Sequence, residues 1–243
     1  MMRIPARHVA AILLAAAMSV FLMAAMIPAG SHSQDNAVQR VSEHYLAAGV
    51  RETGAVNIVT AVLLDYRSFD TMGEAIVILA AAMAVGALLG QGRQPPAGRG
   101  LSVLVRRSIA FLVPLFWSLP AYIVVNGHLS PGGGFQGGVG WAALPIMLAV
   151  VYGAAVPARA WAHGRLPKIE YAAAFCFLGI GLFGLLHSGH FLASGAAGFP
   201  LGTPGTLPSA GAIPWLNLAI ACKVMAGLSA IFFYMQRDGT LEP

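Results

Sequence analysis

Six stretches of this chain, residues 9–29, 72–89, 108–126, 139–156, 171–187 and 213–235, are apolar over lengths that approach or reach a bilayer crossing. A helix needs ~20 apolar residues to cross the hydrocarbon core, because each residue rises only about 1.5 Å. A membrane barrel would instead show alternating strands of about ten residues, and no such alternation is present. The expectation is an all-α integral membrane protein of about six transmembrane helices. Composition agrees: 58% of the residues are hydrophobic and 9% charged, against roughly 25% charged in soluble domains. A chain so poor in charge cannot cover a water-facing surface.

The 14 basic residues against 9 acidic ones raise the question of nucleic acid, but no dense basic run with interleaved aromatics supports it. Topology accounts for them. Arg3, Arg7, Arg93, Arg99, Arg106, Arg107, Arg159, Arg165, Lys168 and Arg237 all fall on one side if six helices alternate. The other side keeps Arg40 and Arg51, with Arg67 near the boundary. The positive-inside bias then predicts a multi-pass chain with both termini in the cytoplasm. The first stretch follows Arg3 and Arg7 as a signal peptide would. Its length exceeds a usual h-region of about 7–15 residues and it lacks a good cleavage site, so it reads as a retained helix.

The linker around residues 91–100, with Pro95 and Pro96 among glycines, divides the chain. Residues 1–92 form an N-terminal membrane module, 93–106 a cytoplasmic linker, and 107–243 a four-helix membrane domain. Cys176 and Cys222 sit in apolar runs and read as small packing residues, not a disulfide or metal pair.

Three features could carry chemistry. Arg67, Asp70 and Glu74 fall on one helical face, with Asp65 on another. They form either an interfacial ion-pair cluster or a site where Arg67 neutralises one carboxylate and leaves another free for a proton or cation. A helix from 57 to 89 would run about 50 Å, too long for the membrane, so a break is expected between 68 and 73. Lys223 stands ten residues into the last span, ~15 Å deep. Burying such a charge costs about 2.5–3.5 kcal/mol on insertion scales, so it requires a carboxylate or a polar cavity. It is either a fixed counter-ion or part of a proton relay. The third feature is the run Gly127, His128, Leu129, Ser130, Pro131, Gly132, Gly133, Gly134, Phe135, Gln136, Gly137, Gly138. It contains a formal G-x-G-x-x-G, but no strand precedes it and no Lys-Ser/Thr follows, so neither nucleotide motif applies. Its glycines suit a tight turn and close approach of helix ends. His187 and His190 lack further ligands nearby and read as loop polar groups, not a metal site.

The glycine-rich run resembles the signature of the MnhB/MrpB family, one of the membrane components of Mrp/Mnh-type multisubunit sodium/proton antiporters. The four spans from Arg107 to Met235 resemble that family throughout. The segment from Leu201 to Asn217, followed by Lys223-Val224, is similar too. The run from Asn57 to Glu74, with Ser68 where the pattern usually has Gly, resembles the C-terminal end of the large antiporter subunit. That module also occurs in membrane-bound hydrogenase relatives. The fusion of both in one chain departs from typical antiporters. The resemblance implies a transport subunit, not an enzyme, with no redox cofactor and no metal. Its implied partners are large antiporter-like subunits and the lipid bilayer, with Na+ and H+ as transported ions. It carries an ion-path role to Asp65, Asp70, Glu74 and Lys223, with Arg67 as charge partner. Two other readings stand beside it: an accessory subunit of a redox-driven pump such as a membrane-bound hydrogenase, and a structural assembly module that touches no ion.

Overall fold

The computed structural model describes residues 35–89, 100–153 and 165–236, and every element among them is helical. The elements are α1 (Asp35–Thr53), α2 (Ile58–Ala61), a π-helical turn (Val62–Tyr66), α3 (Ser68–Leu89), α4 (Val103–Val125), α5 (Gly134–Tyr152), α6 (Arg165–Ser188) and α7 (Ile213–Met235). Five of them, α3 to α7, are long and apolar enough to cross a membrane. They coincide with the second to sixth apolar stretches of the sequence. The first stretch, residues 9–29, lies outside the described residues, as do 90–99 of the linker. Residues from Tyr45 onward make one compact unit, while the first turns of α1, to His44, belong to a separate one.

Four of the five long helices begin earlier than hydropathy alone places them, because polar and glycine-rich first turns are still helical. α4 starts at Val103, where the Ser102 hydroxyl accepts from the Val105 N–H, as an N-cap does. α5 starts inside the glycine-rich run and ends at Tyr152, before Gly153 at φ 93°. Two differences from expectation matter at the other end. Helix α1 carries too little hydropathy to be read from the pattern, and it meets the Ile58–Tyr66 segment at 84°. The anticipated break before α3 falls at Arg67 (φ −122°, ψ 38°), one residue ahead of the expected window, after a π-turn.

α7 is the hub. It packs against α3, α4, α5 and α6, and 61% of its membrane-length window is buried within this chain, against 11% for α3 and α4. Those two turn apolar side chains outward, among them Ile76, Val77 and Met83 on α3 and Phe111, Leu115 and Trp117 on α4. In hydrocarbon such a surface is satisfied by lipid or by a neighbouring subunit.

Glycine makes the close packing possible. Along α5, Gly134 and Gly138 lie four apart on the face against α7. A Cβ at Gly134 would stand 2.5 Å from the Asn217 carbonyl oxygen, and one at Gly138 2.8 Å from that of Ala221. Gly137 and Gly140 face α4, where their Cβ atoms would strike Val124 and the Pro120 ring. Small residues at helix interfaces are how membrane helices gain van der Waals contact without a hydrophobic drive between them. The turn before α5 uses Gly132 and Gly133, both at φ 143°, a region side chains rarely enter.

Gly138→Ala is expected to lower the detergent melting temperature, because backbone atoms of α7 must shift, a cost of about 1–3 kcal/mol. Gly179→Ala, which meets nothing within 4 Å, should leave it unchanged or slightly raised. Equal melting of both variants would contradict this packing.

Candidate ion-translocation site

Lys223 stands near the midpoint of α7 and is 4% exposed. Its ammonium donates to Glu170 Oε1 on α6 at 3.5 Å, and Glu170 is equally buried. α6 begins at Arg165, so Glu170 lies inside the bundle rather than in the loop before the span. Room for its carboxylate comes from Gly227, one turn beyond Lys223: a Cβ there would stand 3.2 Å from Glu170 Oε1 and 2.8 Å from Ile78 of α3. Ser229 adds a fully buried hydroxyl without a hydrogen-bond partner among the described residues.

Glu170 is the residue that sequence reasoning passed over. Counting apolar residues started the span at 171 and left Glu170 outside it. A sharper signal was available, since Glu170 is the only Asp or Glu between Arg107 and Gln236. A buried lysine in α7 therefore had a single carboxylate to meet between Arg107 and Gln236.

The N-terminal candidates divide. Arg67 and Asp70 form the expected i,i+3 ion pair at 2.6 Å, at the surface. Asp65 is half-buried and accepts from the Ser194 N–H at 2.8 Å. With Glu52, Tyr66, Ser68 and His190 it lines a cavity of about 770 Å³, where the Tyr66 hydroxyl donates to Glu52 at 2.5 Å. Glu74 is exposed and lines a separate cavity of about 210 Å³ together with Thr60, Gln136, Asn217 and Gly132 to Gly134. The face shared by Arg67, Asp70 and Glu74 thus serves two places, and Asp65, expected on another face, lines a third.

The glycine-rich loop meets the N-terminal segment through Asn57. Its side-chain oxygen caps α2 by accepting from Val59 N and Thr60 N, while Nδ2 donates to the carbonyls of Gly127 and Ser130 at 2.8 Å. Thr60 donates to Gly127 O at 2.7 Å. Asn217 Oδ1 accepts from Gly134 N at 3.0 Å and holds the start of α5 against α7. His128 is buried in the same junction, with Nε2 3.4 Å from Thr206 O. His187 stacks on Phe183. Among the described residues no three His, Cys, Asp or Glu side chains gather as a metal site, and the two cysteines are free thiols, Cys176 exposed.

A hub helix carrying a buried ion pair, in a bundle with large apolar outer faces, defines a multi-pass membrane protein. Residues 104–230 match the family model described as a domain related to the MnhB subunit of Na+/H+ antiporter, and residues 6–106 match the MbhE model, described as one of the subunits of MBH. An uncharacterized protein of Methanocaldococcus jannaschii is 32% identical over 203 residues, 74% of this chain and 76% of that one. The chain therefore belongs to the MnhB-related family of the Na+/H+ antiporter, as a transport subunit of the prokaryotic cytoplasmic membrane. A probable K(+)/H(+) antiporter subunit of the A/B type from Rhizobium meliloti is 29% identical over 127 residues, 42% of this chain but only 13% of that protein. Among solved structures, a chain of the membrane-bound sulfane sulfur reductase, an archaeal respiratory membrane complex, superposes with a TM-score of 0.71. It is 31% identical, with 96% of this chain and 99% of that chain covered. A chain of the Mrp complex from Dietzia sp. DQ12-45-1b shares the fold at a TM-score of 0.60 and 23% identity, over all of this chain and 27% of that one.

The pair should behave as a unit in stability. Glu170→Gln or Lys223→Met alone leaves one buried charge uncompensated, and each should cost about 3–5 kcal/mol, while the double variant should recover most of it. Melting of the four proteins in one detergent checks this. Additive losses would mean the two groups do not pair.

Proposed function

We propose that this chain forms part of the route by which Na+ and H+ cross the membrane in an Mrp-type antiporter complex, beside larger antiporter-like subunits. The observation that carries the reading is the Lys223–Glu170 pair, buried between membrane-length helices. Charge inside hydrocarbon is expensive and, where it occurs, commonly marks ion and proton paths. In this reading Asp65, Asp70 and Glu74 serve ions at the glycine-loop end, with Arg67 holding Asp70. The positive-inside bias of the basic loops supports a topology with both termini and the linker 93–106 in the cytoplasm, the linker joining a module of residues 1–92 to one of 107–243. A second reading, in which the same route serves a redox-driven complex, is favoured by the near full-length likeness to a chain of a respiratory membrane complex.

Affinity purification in mild detergent, with identification of the co-purifying chains, separates the two. Antiporter-like subunits alone are expected under the first reading, and added Fe–S or Ni–Fe proteins under the second. Recovery of the chain without any antiporter-like partner would count against both. Single cysteines at Ala97 and Ser130 should label from opposite membrane faces. Labelling from one face would sink the orientation.

A further inference from the structure

Glu170 is buried, yet space opens beside it. A cavity of about 190 Å³ runs between α3, α6 and α7 and is lined by Glu170, Tyr171 and Tyr234. Along α3 its wall passes from Leu79 through Ala82 to Gly86, two turns or about 10 Å of helix. Along α7 it passes from Ala230 to Tyr234, one residue before that helix ends, and along α6 from Tyr171 back to Pro167, in the first turn. From Glu170 each wall therefore heads for the same end of the bundle. There the last turns of α3 and α7 meet the first of α6, which carries Arg165 and Lys168. Small residues keep the space open. Ala82 and Ala230 are buried in its walls, and a Cβ on Gly86 would stand 3.0 Å from the Tyr234 ring.

The other side of the ion pair differs. The cavity of about 110 Å³ that Lys223 lines is walled by apolar side chains, Ala75, Ala173 and Phe177 among them. Apolar cavities stay dry, whereas a polar one takes up water when it has the room and the hydrogen-bond partners. The cavity at Glu170 has room for about six waters at ~30 Å³ each, with a carboxylate and two phenols to hold them. We propose that it is a hydrated proton inlet, joining Glu170 to water at the membrane face where Arg165 and Lys168 lie.

The exchange balances. A hydronium ion in the inlet gives one proton to the Glu170 carboxylate: an O–H bond of the hydronium breaks, an O–H bond forms on the carboxyl, and water is left. The reverse step returns the proton to the inlet. Lys223 keeps its three N–H bonds throughout, so the pair passes from neutral to a single positive charge and back. Inlet water, rather than hydrocarbon, meets that charge, which is what makes the step affordable inside a bilayer. The other titratable groups about Glu170 are its partner Lys223 and the phenols of Tyr171 and Tyr234. From α3 the lining residues are Leu79, Ala82, Met83 and Gly86, none of which titrates.

The proposal rests on the ion-path reading above and is tested on the assembled complex in membrane vesicles, with Cys176 and Cys222 replaced by Ala. Ala82→Cys puts a thiol in the wall of the inlet. Ala75→Cys, two turns away on the same helix, puts one in the wall of the apolar cavity, and both positions are buried. Silver ion, small and insoluble in hydrocarbon, is added to one face, and the thiol that remains is counted with a maleimide after denaturation. Added at the face where a single cysteine at Ala97 labels, silver should block Ala82→Cys at least tenfold faster than Ala75→Cys. Equal rates, as a cavity filled by lipid chains would give, overturn the inlet. So does block of Ala82→Cys from the opposite face alone. Ala82→Leu, which fills the inlet, should cut proton flux at least fivefold in complex assembled in wild-type amount, and Ala82→Val takes its place if the leucine variant does not assemble. Wild-type flux in an assembled filling variant overturns the inlet as the proton's route. Glu170→Gln separates the two levels. If it abolishes flux while silver does not reach Ala82→Cys, the ion path stands and the inlet falls. If it carries protons as wild type does, the ion-path reading fails and takes the inlet with it.

Discussion

A lysine near the midpoint of the most buried helix sets the terms for the rest of this bundle. The charge sits too deep to reach water along its own side chain, so a carboxylate has to be brought to it. That requirement fixes the register of α6 on α7, with Glu170 at Lys223 and Gly227 making the gap. Continuum reasoning says such a pair does little for stability compared with apolar residues of the same volume. A chain rich in Leu, Ala and Val had every means to place apolar side chains there, so the pair is better understood through what the charges do.

Toward the N-terminal end of α7 the packing is set by absence of side chains. Gly134 and Gly138 let α5 approach until the Asn217 side chain can bond to the first amide of α5, and Asn57 reaches from another segment to hold the carbonyls of the same loop. The glycine-rich run, Asn57 and Asn217 therefore form one polar junction. It lines, with Glu74, one cavity of about 210 Å³.

The spans were legible because lipid imposes a long, one-signal constraint: the stretch 213–235 coincides with α7, and the other four described spans are displaced only at their polar or glycine-rich ends. The Arg67–Asp70 pair was legible as well, since i,i+3 spacing is enough to bring two long side chains together on a helix. Glu170 was not, because it lies at the margin of its span, where hydropathy cannot distinguish a loop residue from a buried one. The partition of Asp65, Asp70 and Glu74 among separate surroundings was also hidden. It depends on the π-turn at Val62–Tyr66 and on the loop that delivers Ser194 to Asp65, 129 positions along the chain. Such long-range placement leaves no periodic trace.

The central claim is that the buried Lys223–Glu170 pair takes part in moving protons across the membrane. Infrared difference spectroscopy of the complex in lipid, recorded as a proton gradient is imposed, reads this at the carboxyl itself. The account predicts a protonated-carboxyl C=O band that rises with the gradient and disappears in Glu170→Gln. A complex that transports ions with no Glu170-dependent carboxyl band would contradict it, leaving the pair as a fixed tie between two helices.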